Sequence, residues 1–93
     1  MGSAVTKFRV GDRVAGMLPI IHTRWGSLAQ YAAIKENAIA LIPNGISFEH
    51  AAAMPLTSMT AVQALDNLRG ATEGKRILIH AGAGGVGSFA VQW

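Results

Sequence analysis

The apolar and polar positions of this chain change their rhythm twice, first near residue 47 and again near residue 74. Before residue 47 the apolar runs are short and separated by turn residues. Gly11-Asp12 suits a reversal, since glycine takes positive φ without strain and aspartate bonds nearby backbone, and it predicts a turn ahead of a strand over residues 13–17. Residues 17–25 read as an irregular surface loop. In Leu28-Ala29-Gln30-Tyr31-Ala32-Ala33-Ile34 the alternation predicts a second strand over 28–34, with Leu28 and Gln30 on one face. Lys35-Glu36-Asn37 turns the chain into a third strand over 38–42. Pro43-Asn44-Gly45 ends it, because proline cannot donate to a ladder and Asn-Gly tolerates positive φ.

From Ser47 onward the pattern is helical. Ser47 is a good N-cap, and Glu49 falls in the first turn, where the helix dipole favours a negative charge. Pro55 interrupts this helix. A second one is predicted from about Ser58 to Leu68, closed by Arg69-Gly70. Gly74-Lys75 then supplies a turn, and Ile77-Leu78-Ile79 is continuously apolar, as expected of a central parallel strand covered on both faces.

That strand runs straight into Gly82-Ala83-Gly84-Gly85-Val86-Gly87, a G-x-G-x-x-G turn followed by helix formers. In a dinucleotide-binding turn the three glycines have separate tasks. Gly82 serves the tight turn, Gly84 lets backbone approach a pyrophosphate, and Gly87 lets the next helix pack against the strand. The free N–H groups of a helix beginning near Val86 then face the anion. A phosphate loop of the nucleotide hydrolases needs a lysine where Ser88 stands, which sets that chemistry aside. The acidic residue that grips an adenosine ribose lies about 20 residues beyond such a turn, so these residues do not separate NAD from NADP.

Composition changes the picture in one respect. The chain has 93 residues, 51% hydrophobic and 14% charged, against about 25% charged in an ordinary domain. It is short of polar surface, which predicts an excerpt from a larger protein that forms homo-oligomers through its apolar faces. There is no cysteine, hence no disulfide framework and no thiolate metal site, which fits a cytoplasmic protein. No apolar run reaches the roughly 18 residues of a membrane span, and Met1-Gly2-Ser3 lacks the features of a signal peptide. The net charge of +3 is scattered, with Lys75-Arg76 the only adjacent basic pair, and reads as solvated surface rather than a nucleic-acid face. His22, His50 and His80 share no ligand spacing. On spacing alone Thr60 bonds its own helix backbone, Tyr31 and Trp25 are packing residues, and Met17, Met54 and Met59 fill core.

Four motifs occur in order: Val10-Gly11-Asp12-Arg13-Val14, Gly26-Ser27-Leu28-Ala29-Gln30-Tyr31, Ala51-Ala52-Ala53-Met54-Pro55-Leu56-Thr57-Ser58-Met59-Thr60-Ala61, and the stretch from Gly74-Lys75 through Gln92. Together they resemble the medium-chain dehydrogenase/reductase superfamily and, within it, the zinc-independent quinone oxidoreductase group that includes the ζ-crystallin-like proteins. The resemblance covers nearly the whole chain. It implies an α/β protein, α+β for this stretch alone. Residues 1–46 would end a GroES-like catalytic domain, 47–70 would be connecting helices, and 71–93 would start a Rossmann cofactor-binding domain.

The resemblance further implies NADPH in the cleft between the domains, with NAD left open, and a hydride passed to a quinone or enone. Gly82, Gly84, Gly85, Val86 and Gly87 fall on the pyrophosphate-binding turn, and Thr60 falls on the family threonine beside the nicotinamide. Zinc-dependent relatives keep a cysteine ligand where Leu56 stands, and their four-cysteine lobe has no counterpart between Val14 and Trp25, so no zinc is expected. No catalytic acid is assignable within the chain. Two alternatives stay open: a relative of the zinc-type alcohol dehydrogenases, and a non-catalytic piece that self-associates.

Overall fold

The computed structural model describes residues 1–19, 26–68 and 74–93 and has two compact units, Met1–Ala52 and Ala53–Trp93. Along the chain come β1 (Val14–Gly16), a 3-10 turn (Glu36–Ala38), β2 (Ile39–Leu41), α1 (Phe48–Ala53), α2 (Pro55–Asp66) and α3 (Gly85–Gln92). The architecture of the described residues is therefore α+β, one two-stranded antiparallel sheet with three helices. None of the helices among them is long and apolar enough to cross a membrane.

In the first unit the Gly11-Asp12 reversal forms as its chemistry dictates. Gly11 takes φ +99°, the Arg9 N–H donates to Asp12 Oδ2 at 2.7 Å, and the Asp12 N–H donates to the Arg9 carbonyl at 3.1 Å. β1 then pairs with β2, Val14 opposite Leu41 and Gly16 opposite Ile39. A 2.8 Å bond from the Ile42 N–H to the Arg13 carbonyl carries the pairing one step further, to the expected stop at Pro43. The Arg13 guanidinium donates to the Ile46 carbonyl at 2.7 Å and lies 4.5 Å over the Phe48 ring, tying the strand to the start of α1. Ser47 caps that helix: its hydroxyl accepts the His50 N–H at 3.2 Å and its carbonyl accepts the Ala51 N–H at 3.0 Å. The Glu49 carboxyl, bonded by its own backbone N–H and the Ser47 hydroxyl, is held below its ordinary pKa.

Four expectations are corrected. Residues 28–34 form no strand, and Leu28 and Tyr31 are 104% and 91% exposed. Their alternation has the right period, but a strand is stable only when a ladder partner covers it. Residues 77–79 likewise pair with no strand among the described residues, leaving Ile77 and Leu78 49% and 79% exposed. The second helix begins at Pro55 rather than Ser58, since proline at the first helical position lacks only an N–H that has no partner there. Met59, expected in the core, is also exposed. Among the described residues the buried hydrophobic ones are Ile42, Ala51 and Ala61, and no large side chain is fully buried. Residues 20–25, with His22 and Trp25, and the Arg69-Gly70 helix end lie outside the described residues.

Polar ties hold the N-terminal segment. The Glu36 carboxylate accepts the Thr6 N–H at 3.0 Å and the Lys7 N–H at 3.2 Å, and these two amides hold its carboxyl below the ordinary value. Because the folded pKa lies below the unfolded one, this tie is present above the ordinary glutamate value and is lost as pH falls through the lowered one. We expect Glu36→Gln to speed amide exchange at Thr6 and Lys7 at neutral pH while leaving the β1–β2 amides unchanged. Equal exchange rates at Thr6 and Lys7 in the two proteins would show that the carboxylate does not hold the segment.

Candidate functional site

The glycine-rich turn and the start of α3 form the candidate site. Ala81 takes φ +54°, left-handed and unusual for a residue with a side chain, and its carbonyl accepts the Gly84 N–H at 2.9 Å. Gly84 is the extended N-cap of α3, with φ −77° and ψ 170°. The first intrahelical bond runs from the Ser88 N–H to the Gly84 carbonyl at 2.8 Å. The N–H groups of Gly85, Val86 and Gly87 precede that bond, so helix geometry supplies them with no acceptor of their own. Gly84, Gly85 and Val86 are exposed, and no acidic residue stands in this first turn to compete for the positive end of the helix dipole.

Close approach fixes this geometry from beneath. Gly87 is buried, and a Cβ there would overlap the Ala81 carbonyl oxygen and come within 2.9 Å of Gly82 Cα. A Cβ at Gly84 would stand 3.2 Å from that same oxygen. At Gly82, by contrast, a Cβ would meet only Val91 Cγ2 at 3.7 Å and Ile79 O at 3.9 Å, and φ is not left-handed. The tight turn therefore draws its unusual conformation from Ala81, and the demand for smallness falls on Gly87. Further along α3, the Ser88 hydroxyl donates to the Gly85 carbonyl at 3.0 Å and Gln92 Nε2 donates to the Ser88 carbonyl at 2.8 Å.

α2 packs against α3. Met54 separates α1 from α2, which Pro55 opens, and the hydroxyls that follow take up the carbonyls around this break. Thr57 Oγ1 donates to the Ala53 and Met54 carbonyls, each at 3.2 Å, and Ser58 Oγ donates to Met54 at 2.8 Å. Thr60 is exposed on α2, its hydroxyl donating to the Leu56 carbonyl at 2.7 Å, the bond expected from spacing alone. That bond uses the hydroxyl hydrogen and leaves the oxygen free to accept another donor. Sequence reading missed Thr57. A Cβ at Gly85 would lie 2.9 Å from its methyl carbon Cγ2, so Gly85 meets α2 at this threonine. The available signal was the extra glycine between Gly84 and Val86, which G-x-G-x-x-G does not require.

The residues present fit a pyrophosphate: three amides precede the first helical bond at an uncovered helix start, and Gly84 and Gly85 bring no side chain there. Leu56 offers no metal-ligating atom. Among the described residues no group of three or more His, Cys, Asp or Glu side chains could hold a metal ion.

No family model and no solved structure matches the chain. Among curated proteins it is 45% identical, over 98% of its length, to the chloroplastic quinone-oxidoreductase homologue of Spinacia oleracea. It is 42% identical over 99% to the 2-methylene-furan-3-one reductase of Solanum lycopersicum, and 49% identical over 99% to a highly reducing polyketide synthase of Cryptosporiopsis. The chain spans 29%, 24% and 4% of these three proteins, respectively. These similarities agree with the resemblance to the quinone oxidoreductase group of the medium-chain dehydrogenase/reductase superfamily.

The packing under α3 generates a test. We expect Gly87→Ala to destabilise the protein by about 1–3 kcal/mol, the usual cost of overpacking against atoms that cannot move aside, because the atom in the way is backbone. Urea denaturation of the two proteins measures this. An unchanged midpoint would mean that α3 does not close over the Ala81 carbonyl.

Proposed function

We propose that the chain contributes the pyrophosphate-binding turn of an NADPH-dependent oxidoreductase that reduces a quinone or an activated alkene without zinc. The observation that carries the reading is the uncovered start of α3 in a chain homologous to quinone oxidoreductases. NADPH, when bound, supplies the hydride from its nicotinamide ring. The Gly85, Val86 and Gly87 amides hold the pyrophosphate, Gly84 leaves room for it, and Gly82 with Ala81 shapes the turn. Thr60 lies where the resemblance puts the nicotinamide, and its oxygen accepts a donor from that end of the cofactor. What the chain does chemically is bind and orient, since the reacting electrons belong to the cofactor. NAD is the alternative cofactor at the same turn.

The alkene arm draws support from the tomato relative named a 2-methylene-furan-3-one reductase, and the quinone arm from the spinach and Pseudomonas aeruginosa relatives named for quinones. A zinc-type alcohol dehydrogenase is the weaker reading, because Leu56 brings no donor to the position of that group's cysteine ligand. On this reading residues 1–46 end a GroES-like domain, 47–70 are connecting helices, and 71–93 open a Rossmann domain. The proposed location is the cytoplasm, although the spinach relative is named as chloroplastic.

Replacing Gly84 by valine tests the site. The side chain would stand where the pyrophosphate meets the backbone, so NADPH affinity should fall by more than tenfold, about 1.4 kcal/mol, while the unfolding midpoint moves much less. Calorimetric titration of both folded proteins gives the comparison, and equal affinities would remove the anion from this turn.

Self-association is also expected, as homo-oligomers through exposed apolar surface. Leu28, Tyr31, Leu78 and Val10 are 104%, 91%, 79% and 85% exposed, and burial contributes about 25 cal/mol per Å2 of apolar surface. Sedimentation velocity over a hundredfold range of concentration should show mass rising with concentration. A monomer throughout would refute the oligomer.

A further inference from the structure

Thr57 stands at the junction of α2 and α3 in a conformation it cannot easily leave. It is half-buried, and being β-branched it has few χ1 choices. Its hydroxyl is engaged with the Ala53 and Met54 carbonyls at 3.2 Å. Its methyl faces Gly85 so closely that a Cβ there would lie 2.9 Å from Cγ2. Turning the methyl away would break the hydroxyl bonds, so the hydroxyl locks the methyl and the methyl seats the start of α3. Gly85 carries one of the amides that precede the first helical bond. Thr57 and Thr60, three residues apart, are neighbours on the surface of α2.

We propose that Thr57 is a positioning residue: its methyl, seated against Gly85, sets the spacing between the pyrophosphate-binding amides of α3 and Thr60 on α2. This rests on the reading of the α3 start as the cofactor site and deepens it. Gly85 is small because α2 needs the room. One rigid helix then carries both the seat for the pyrophosphate end and the contact for the nicotinamide end.

A cycle of Gly85→Ala, Thr57→Ser and the double variant in the full chain tests this, read by calorimetric titration of NADPH and by thermal melting. Alanine at 85 collides with the Thr57 methyl, and serine at 57 removes that methyl while keeping the hydroxyl. Gly85→Ala should weaken NADPH binding at least about tenfold, and adding Thr57→Ser should bring affinity back to within about threefold of Thr57→Ser alone, the non-additivity of residues in contact. The melting temperature should follow the same pattern. If Gly85→Ala alone does not fold, the affinity of the double variant against Thr57→Ser decides.

A second readout separates spacing from general loosening. Thr57→Ser should weaken NADPH more than 2′-phospho-ADP-ribose, which carries the pyrophosphate but no nicotinamide. Equal losses for the two ligands would reduce Thr57 to a packing residue. Gly85→Ala that stays equally harmful when combined with Thr57→Ser would also overturn the proposal, because Gly85 would then be small for the ligand's sake. A wild-type chain that binds neither ligand overturns the site reading and the positioning role together, and the melting cycle then still reports whether the two residues touch.

Discussion

The second unit depends on how near a helix start can be brought to the turn before it and to the helix beside it. The Ala81 carbonyl lies where a Gly87 side chain would begin, and the Thr57 methyl lies where a Gly85 side chain would begin. Two glycines of one helical turn thus face two different neighbours. With its first turn seated on both, α3 has little freedom to slide or rotate, and the three amides that precede its first helical bond keep fixed directions. A preorganised set of donors serves anion binding because no ordering is required when the ligand arrives.

The first unit is held differently. Among its described residues the buried hydrophobic ones are Ile42 and Ala51, and charged and polar groups placed at chain reversals supply further order. Asp12 closes the turn into β1, Arg13 reaches the Ile46 carbonyl and the Phe48 ring, Glu36 gathers the Thr6 and Lys7 amides, and Ser47 starts α1. Each is a side chain bonded to backbone outside the strand ladder and the helical bonds, with charge strengthening the bonds of Asp12, Arg13 and Glu36. Such ties set the path of the chain without much apolar burial.

What could be read from the sequence follows the range of the forces involved. The Gly11-Asp12 turn, the end of β2 at Pro43, the Ser47 cap and the glycine-rich turn before α3 are all decided within four or five residues, and all appear where the residues place them. Residues 28–34 and 77–79 carry strand patterns too, but a pattern only states which face a strand would bury. Whether it becomes a strand is decided by a partner elsewhere. Thr57 was invisible for a related reason: its neighbour Gly85 is 28 positions away, and its hydroxyl chemistry looks identical to that of Ser58 or Thr60. Thr60 was placed in the site by resemblance alone, and its own bond to Leu56 is what any helical threonine makes.

Ala81 has a consequence for which side chains the turn accepts. A residue at φ +54° holds its Cβ near its own carbonyl, and for L-residues other than glycine this conformation costs roughly 1–2 kcal/mol. Branching at Cβ aggravates the crowding, while asparagine and aspartate offset it with a local hydrogen bond. Position 81 is thus a narrow gate in sequence space: alanine, glycine, asparagine and aspartate can pass, whereas valine, isoleucine and threonine would have to abandon the left-handed conformation. Abandoning it would swing the carbonyl out from under Gly87 and withdraw the acceptor of the Gly84 N–H. A residue outside the helix thereby limits the variety of sequences in which this helix can begin where it does.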